Sequence, residues 1–340
     1  MKIEKNQLLK KRWKIFKNCR RGIYSLWLLI IFSFFSVTAE FWANDRPIVL
    51  IYKEQVYFPA IKYYPPSALD LNQEAVTVDY KKLQLTEKDF ALWPLIPWDP
   101  YESNAHVSEY PSPPTRTNLM GTDNRGRDVL SRVLYGFRYS MGFAVLVWLC
   151  SFFIGSLLGM VMGFKAGWVD LLGQRCVEIF QSLPLNLILI TFVAILGSDL
   201  WVLILYSTIF GWMNISLYIR SEYLKIRNMD YIESAKSYGL RPLSIMLKHI
   251  FPNALTPLVT FSPFKIANGI SLLVVLDYLG FGLAPPTPSW GELLNQAESY
   301  FTTAWWLVFF PSLFLFLNLV GLNFIGEGIR MAFDPKTVMK

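Results

Sequence analysis

Histidine and cysteine are scarce in this sequence. His106, His249, Cys19, Cys150 and Cys176 are all that 340 residues contain, and none of them has metal-ligand spacing. That argues against a zinc site, and three cysteines outside the long polar segment argue against a disulfide framework. Also missing are a G-x-x-x-x-G-K-[ST] loop to cradle phosphates, an H-E-x-x-H helix and a G-x-S-x-G elbow. The chain therefore carries no recognisable ATPase or hydrolase signature of its own, and no cofactor is expected on it. Basic charge is abundant only at the start. Residues 1–21 hold nine Lys/Arg and one Glu, a net +8, whereas the whole chain is only +7. A basic tail on an otherwise neutral chain does not fit a nucleic-acid reader; before an apolar run it marks the cytoplasmic side of a membrane.

Apolar residues are plentiful, at 53% hydrophobic and 16% aromatic. Six runs are long enough to cross a bilayer as helices: Ile23–Ala43, Tyr139–Phe164, Cys176–Leu196, Leu200–Tyr218, Leu255–Tyr278 and Trp305–Ile325. Single spanning strands would leave backbone groups unpaired in lipid, so the expected class is an all-α integral membrane protein with six transmembrane helices. Glu40-Phe41-Trp42 makes a poor cleavage site, which favours an uncleaved first span over a signal peptide. The loop 219–254 has six basic and three acidic residues, and the loop 279–304 has two Glu and no Lys or Arg. Both agree with cytoplasmic N- and C-termini.

The expected division is a basic cytoplasmic tail over 1–22, a first span over 23–43, and an extracytoplasmic insert with an amphipathic elbow over 44–138. A five-helix core over 139–328 follows, carrying the cytoplasmic loop 219–254, and then a C-terminal tail over 329–340. In the insert, "PIVLIYKEQVYFPAIK" predicts two short strands around Lys53-Glu54, a β-hairpin. Its Pro- and aromatic-rich stretches suggest a small cap on the outer surface, or an insertion without contact to solute. "MGTDNRGRDVLSRVLYGFR" predicts a helix capped by Thr122 or Asp123, with Val129, Leu130, Val133, Leu134 and Phe137 on one face and Arg127, Asp128, Arg132 and Arg138 elsewhere. Gly155, Gly159 and Gly163 share one stripe of the second span, for close packing within the chain or against a second subunit. Pro184, Pro263 and Pro311 predict kinks or unwound ends.

The stretch "DYIESAKSYGLRPLSIMLKHIFPN", Asp230–Asn253, is polar and lies between two spans. Asp230 followed by Glu233 has the form of a capping box, Gly239 is a natural helix stop, Pro242 opens a second helix and Pro252 is expected to end it. Small residues Ser234, Ala235, Ser237 and Gly239 would let the first helix dock in a groove. A rigid lever and a plain polar connector both fit these residues. Lys265, with Asn268 three residues on, sits deep in the fifth span. Intramembrane ionisable groups are costly and usually functional. Lys265 therefore raises two readings, a wetted path or partner contact and, as an alternative function, an ion-coupled secondary transporter; a lysine snorkelling to the interface is the third.

The spacing Glu233-Ser234-Ala235, three residues, Gly239, nine residues, then "HIFP" resembles the EAA loop of ABC importer permeases. Ser234 replaces the usual Ala, and Phe251 the usual Leu. "GTDNRGRDVLSRVLYGFR" and "LDYLGFGLAPPTPSWGELL" are similar to the dipeptide/oligopeptide branch, and together the three motifs cover roughly 121–335. "ANDRPIVLIY", "VYFPAIKYY", "YPSPPTRTN" and "FDPK" resemble permease subunits of peptide and microcin C importers. The resemblance implies a type I ABC importer permease fold in the bacterial inner membrane. It implies coupling to an ATPase through Tyr231, Glu233, Ser234, Ala235, Gly239 and Pro252, and an outer gate or binding-protein dock near Tyr278, Pro286 and Trp290. It implies as partners a second permease, an ABC ATPase that holds ATP and Mg, and a periplasmic solute-binding protein, all assembled in the lipid bilayer.

Overall fold

The computed structural model describes residues 2–69, 78–86, 88–107 and 109–334, residues 2–7 by backbone alone. Among them, five helices are long and apolar enough to cross a membrane, and a sixth crossing is possible as a bent pair. The chain runs α1 (Lys2–Asn18), α2 (Arg20–Val37), a single turn α3 (Ala39–Trp42), then the insert and α4 (Val129–Lys165). The bent pair is α5 (Gly167–Gln181) and α6 (Leu185–Leu196), followed by α7 (Leu200–Ile226) and the short α8 (Asp230–Ser237). Next come α9 (Pro242–Ser244), a π-helical segment Ile245–Ile250 and α10 (Phe251–Tyr278), which continue into one another as one helix. The chain closes with α11 (Trp290–Ser299) and α12 (Trp305–Phe333).

Several expected boundaries move. The third span is not a straight helix over Cys176–Leu196: α5 starts nine residues earlier and meets α6 at a 71° bend. Pro184 supplies no N–H, and its ring drives the preceding residue away from helical angles, so the ladder breaks there. The segment before the second span is no separate elbow. It is the first turns of α4, which has 37 residues and is about 55 Å long, nearly twice the hydrocarbon thickness. Pro252 ends nothing: the wider π turn just before it lets the chain pass the proline's missing donor without stopping. Residues 329–333 belong to α12, and residues 335–340 of the expected C-terminal tail lie outside the described residues.

The glycine stripe packs within the chain. A Cβ at Gly155 would stand 2.6 Å from the Trp212 carbonyl, one at Gly159 would overlap the Ser216 carbonyl, and one at Gly163 would stand 2.5 Å from Tyr223 Cβ. These three positions let the backbones of α4 and α7 touch over more than two turns, which settles the stripe as intrachain packing. The main core lies where α2, α4, α10, α11 and α12 meet, around Leu29, Val133, Phe137, Ile270, Val274, Trp290 and Trp306. The basic N-terminal stretch is not a loose tail. Phe16 is buried between Gly22 and Gly328, and the Arg12 guanidinium lies 4.3 Å over the Phe333 ring.

The hairpin forms as expected. β1 (Val49–Tyr52) and β2 (Gln55–Tyr57) are antiparallel with Leu50 opposite Tyr57, and Lys53 and Glu54 take positive φ of 49° and 67°, a two-residue turn whose twist suits the strands. A third strand, β3 (Phe90–Leu92), pairs on the other side of β1 in the order β2-β1-β3. Behind the sheet, Leu50, Tyr57, Leu69 and Tyr80 form a small core of their own.

Candidate functional site

The expected short helix forms, though not with the expected cap. Met229 has the extended angles of an N-cap, its carbonyl accepts from the Ile232 and Glu233 amides at 2.8 and 3.2 Å, and no side chain caps the helix. Asp230 is already helical, so the capping box with Glu233 does not close; both acids lie in the first turn, where the helix dipole favours them. The other end is a complete Schellman stop. Gly239 has φ +70°, its N–H bonds the Lys236 carbonyl at 2.9 Å, and the Leu240 N–H bonds the Ala235 carbonyl at 3.2 Å.

One face of α8 is anchored and the other is open. Ile232 and Ala235 are buried against Ile226, Ile245 and Ile250, so Ala235 faces its own chain and not a docking groove. Tyr231, Glu233, Ser234, Ser237, Tyr238 and Gly239 are exposed, and beyond them Leu240 and Leu243 add an apolar rim. Pro252 is exposed on the neighbouring helix, and the next residue, Asn253, donates to the Tyr231 hydroxyl at 3.4 Å. The base is braced. Tyr223 Oη donates to the Met246 carbonyl at 2.9 Å inside the π segment, Arg227 Nη1 donates to the Phe164 carbonyl at 3.2 Å at the end of α4, and Arg220 pairs with Asp170 of α5. α8 thus stands on a base that joins α4, α5, α7 and α10.

At the opposite ends of these helices lies a buried polar lattice. Arg127 Nε donates to Asp123 Oδ2 at 2.7 Å and its Nη2 to Glu292 Oε1 at 3.0 Å. Arg132, fully buried, pairs with the other Glu292 oxygen and donates to the Pro100 and Pro286 carbonyls at 2.9 and 3.3 Å. Burial would lower the Arg127 guanidinium, but Asp123 and Glu292 beside it hold it above its ordinary value. The cap of α4 is neither Thr122 nor Asp123. It is Asp128, which accepts from the Ser131 amide at 2.8 Å and from Asn118 Nδ2 at 2.9 Å. Burial pushes the Asp128 carboxyl up to about 6. Arg127, Asp128 and Arg132 are therefore interior residues, contrary to the amphipathic reading. The missed signal was charge complementarity between two separate motifs: Asp123, Arg127 and Arg132 in one, Glu292 in the other.

That lattice corrects the expected dock. Trp290 has no exposed surface; its Nε1 donates to the Val133 carbonyl at 3.0 Å and its ring lies 6.1 Å from Phe137. It bolts α11 to α4 and cannot touch a partner directly. Pro286 and Tyr278 are exposed, the latter with its hydroxyl donating to Glu298 Oε2 at 2.7 Å. Lys265 is half-buried midway along α10, and Asn268 is exposed one turn on. Sequence reasoning passed over Gln181 and Asn214, whose carboxamides meet at 3.4 Å beside the α5–α6 break.

A family model described as "Binding-protein-dependent transport system inner membrane component" matches residues 155–339. The chain is 38% identical to the inner membrane ABC transporter permease protein YejE of Escherichia coli K12, over 95% of this chain and 96% of that one. It is 34% identical to the peptidoglycan transport system permease protein YejE of Agrobacterium fabrum, over 97% and 94%. It is 32% identical to the dipeptide transport system permease protein DppC of Bacillus subtilis, over 68% and 72%. Membership follows on both measures, and the span of the family model includes α8, the glycine stripe and Glu292: the chain belongs to the family of binding-protein-dependent transport system inner membrane components, the permeases of ABC importers.

Proposed function

We propose that this chain is one of two permease subunits of an importer for peptides and peptide-like compounds of the microcin C type, with α8 as the helix that takes up motion from an ATPase. The observation that carries the proposal is α8 itself: a rigidly stopped helix, anchored on one side by Ile232 and Ala235, with its other side free. In this reading the loop 219–254 and both termini are cytoplasmic, in accord with the basic tail and loop. The partners are a YejB-like permease, a YejF-like ATPase that binds ATP and Mg, and a YejA-like periplasmic binding protein. Contact with the ATPase falls to Tyr231, Glu233, Ser234 and Gly239, while Ala235 positions them from behind and Pro252 borders them. Tyr278 and Pro286 flank the binding-protein side.

Peptides are favoured because the relatives named for dipeptide and peptidoglycan transport share amide backbones as a chemical theme. ATP-driven closure of the ATPases would rock the braced helices and alternate access to the path between the two permeases. The test is uptake by the reconstituted four-component complex in liposomes, offered a mixed peptide pool, with accumulated species identified by mass spectrometry. ATP-dependent accumulation of peptides is the expected result. Accumulation driven by a proton gradient alone would replace this reading with an ion-coupled transporter using Lys265. ATPase activity without uptake of any peptide would remove peptides as substrates.

A further inference from the structure

The middle of the helical bundle carries polar side chains that neither the lever nor the outer lattice uses. Asn214 stands on α7, Lys265 and Asn268 on α10, and Gln181 and Asn186 flank the α5–α6 break. Their registration can be read from one contact. Tyr218 of α7 stacks on Phe261 of α10 with ring centroids 5.5 Å apart. Asn214 lies four residues before Tyr218, and Lys265 four residues after Phe261. The two helices are consecutive spans that run in opposite directions, so both residues sit one turn beyond the stack toward the same end. Gln181 joins at that level through its contact with Asn214, where the break opens a cleft of about 570 Å3 lined by Gln181, Pro184, Asn186 and Asn214. Asn214 is near the centre of α7, about 20 Å from either end at 1.5 Å per residue.

Carboxamides and an ammonium at that depth are costly against lipid, so this face turns to water, to a bound solute or to the second permease. Four of the five residues are exposed and Lys265 is half-buried. Among the described residues no carboxylate pairs with Lys265. We propose that Gln181, Asn186, Asn214, Lys265 and Asn268 form a peptide-binding subsite, with Lys265 pairing the substrate's C-terminal carboxylate and the carboxamides bonding its backbone. A primary amide both donates and accepts, so it matches a peptide N–H and C=O whatever the side chains are. The one cation matches the one charge that every free peptide carries at its C-terminus. This subsite rests on the peptide-import reading.

The experiment offers the reconstituted complex an equal mixture of one tripeptide with a free C-terminus and the same tripeptide as its C-terminal amide. Because both enter the same liposomes, their uptake ratio does not depend on how much complex is folded. The binding protein is unchanged throughout, so a change in ratio belongs to this chain. Lys265→Met is expected to lower the ratio of free acid to amide by about fivefold or more, the loss of a charge-assisted bond, and Lys265→Arg to stay within about twofold of the unmodified protein. Asn214→Leu should slow both peptides alike. An unchanged ratio in Lys265→Met overturns the subsite. So does loss of the second permease from purified Lys265→Met complex, which would assign the lysine to the subunit interface. If the unmodified complex takes up neither peptide, the peptide reading itself fails with it.

Discussion

Arg132 brings a charge into a site with no solvent, and Glu292 from a distant part of the chain answers it. Removing Glu292 leaves two buried guanidinium groups, Arg127 and Arg132, to share Asp123, and breaking a buried pair in this way costs about 3–5 kcal/mol. Glu292→Gln is thus expected to destabilise the chain by that amount, read as a lowered unfolding midpoint in detergent. Arg132→Lys should not rescue the fold, because a lysine lacks the fork that reaches the Pro100 carbonyl and Glu292 at once. Asp128 makes a pH prediction. Its carboxyl lies at about 6 when folded against an ordinary 3.8. Between those values the folded chain holds a proton that the unfolded chain has released, so the stability Asp128 contributes is full below about pH 4, falls as pH rises toward 6, and is gone above that. The full change is about 3 kcal/mol for a two-unit shift. Asp128→Asn should reduce the fall in stability in unfolding measurements between about pH 4 and 6, and a slope unchanged by the substitution would assign it to other groups.

Among the elements, α4 and α7 depend on each other through glycine. Gly159→Leu is expected to separate them, because even a Cβ there overlaps the Ser216 carbonyl; overpacking of this kind costs about 1–3 kcal/mol and shows as reduced yield and thermal midpoint. Gly239→Arg should behave differently. A Cβ at Gly239 meets nothing within 4 Å, and the penalty is only the left-handed backbone, about 1–2 kcal/mol. The chain should stay folded, while ATP hydrolysis by the assembled complex ceases to drive uptake; normal transport would mean that α8 is not the lever. The contrast shows how far the sequence was legible. Helix stops and apolar runs declare themselves locally, so Gly239, Pro242 and most spans were readable. What was not readable depends on distant partners: Arg132 looks like a surface arginine until Glu292 is beside it. Trp290 looks like a docking aromatic until α4 covers it. Pro252 reads as a stop because the π turn that accommodates it leaves no mark on the sequence. Pro184 is the intermediate case, since it announced a kink but not that the span would fold through 71°.

Across the whole molecule, the first and last helices are clasped. Phe16 sits between Gly22 and Gly328, and Cys19 Sγ lies 3.7 Å from where a Cβ at Gly328 would be. In a chain lacking Cys150 and Cys176 and carrying Phe16→Leu to make room for the new Cβ, Gly328→Cys is expected to form an intrachain disulfide with Cys19 under mild oxidation, visible as faster migration on a non-reducing gel. Failure to cross-link would separate the two ends. This clasp also sets an order in time. The seat for Phe16 includes Gly328, so it cannot exist until some 312 further residues have been made. At 5–20 residues per second, the basic N-terminal helix waits roughly 15 to 60 s after its own synthesis before its seat is made. During that interval it is free to hold the lipid surface, and the clasp closes only after the helices between its two halves have been made.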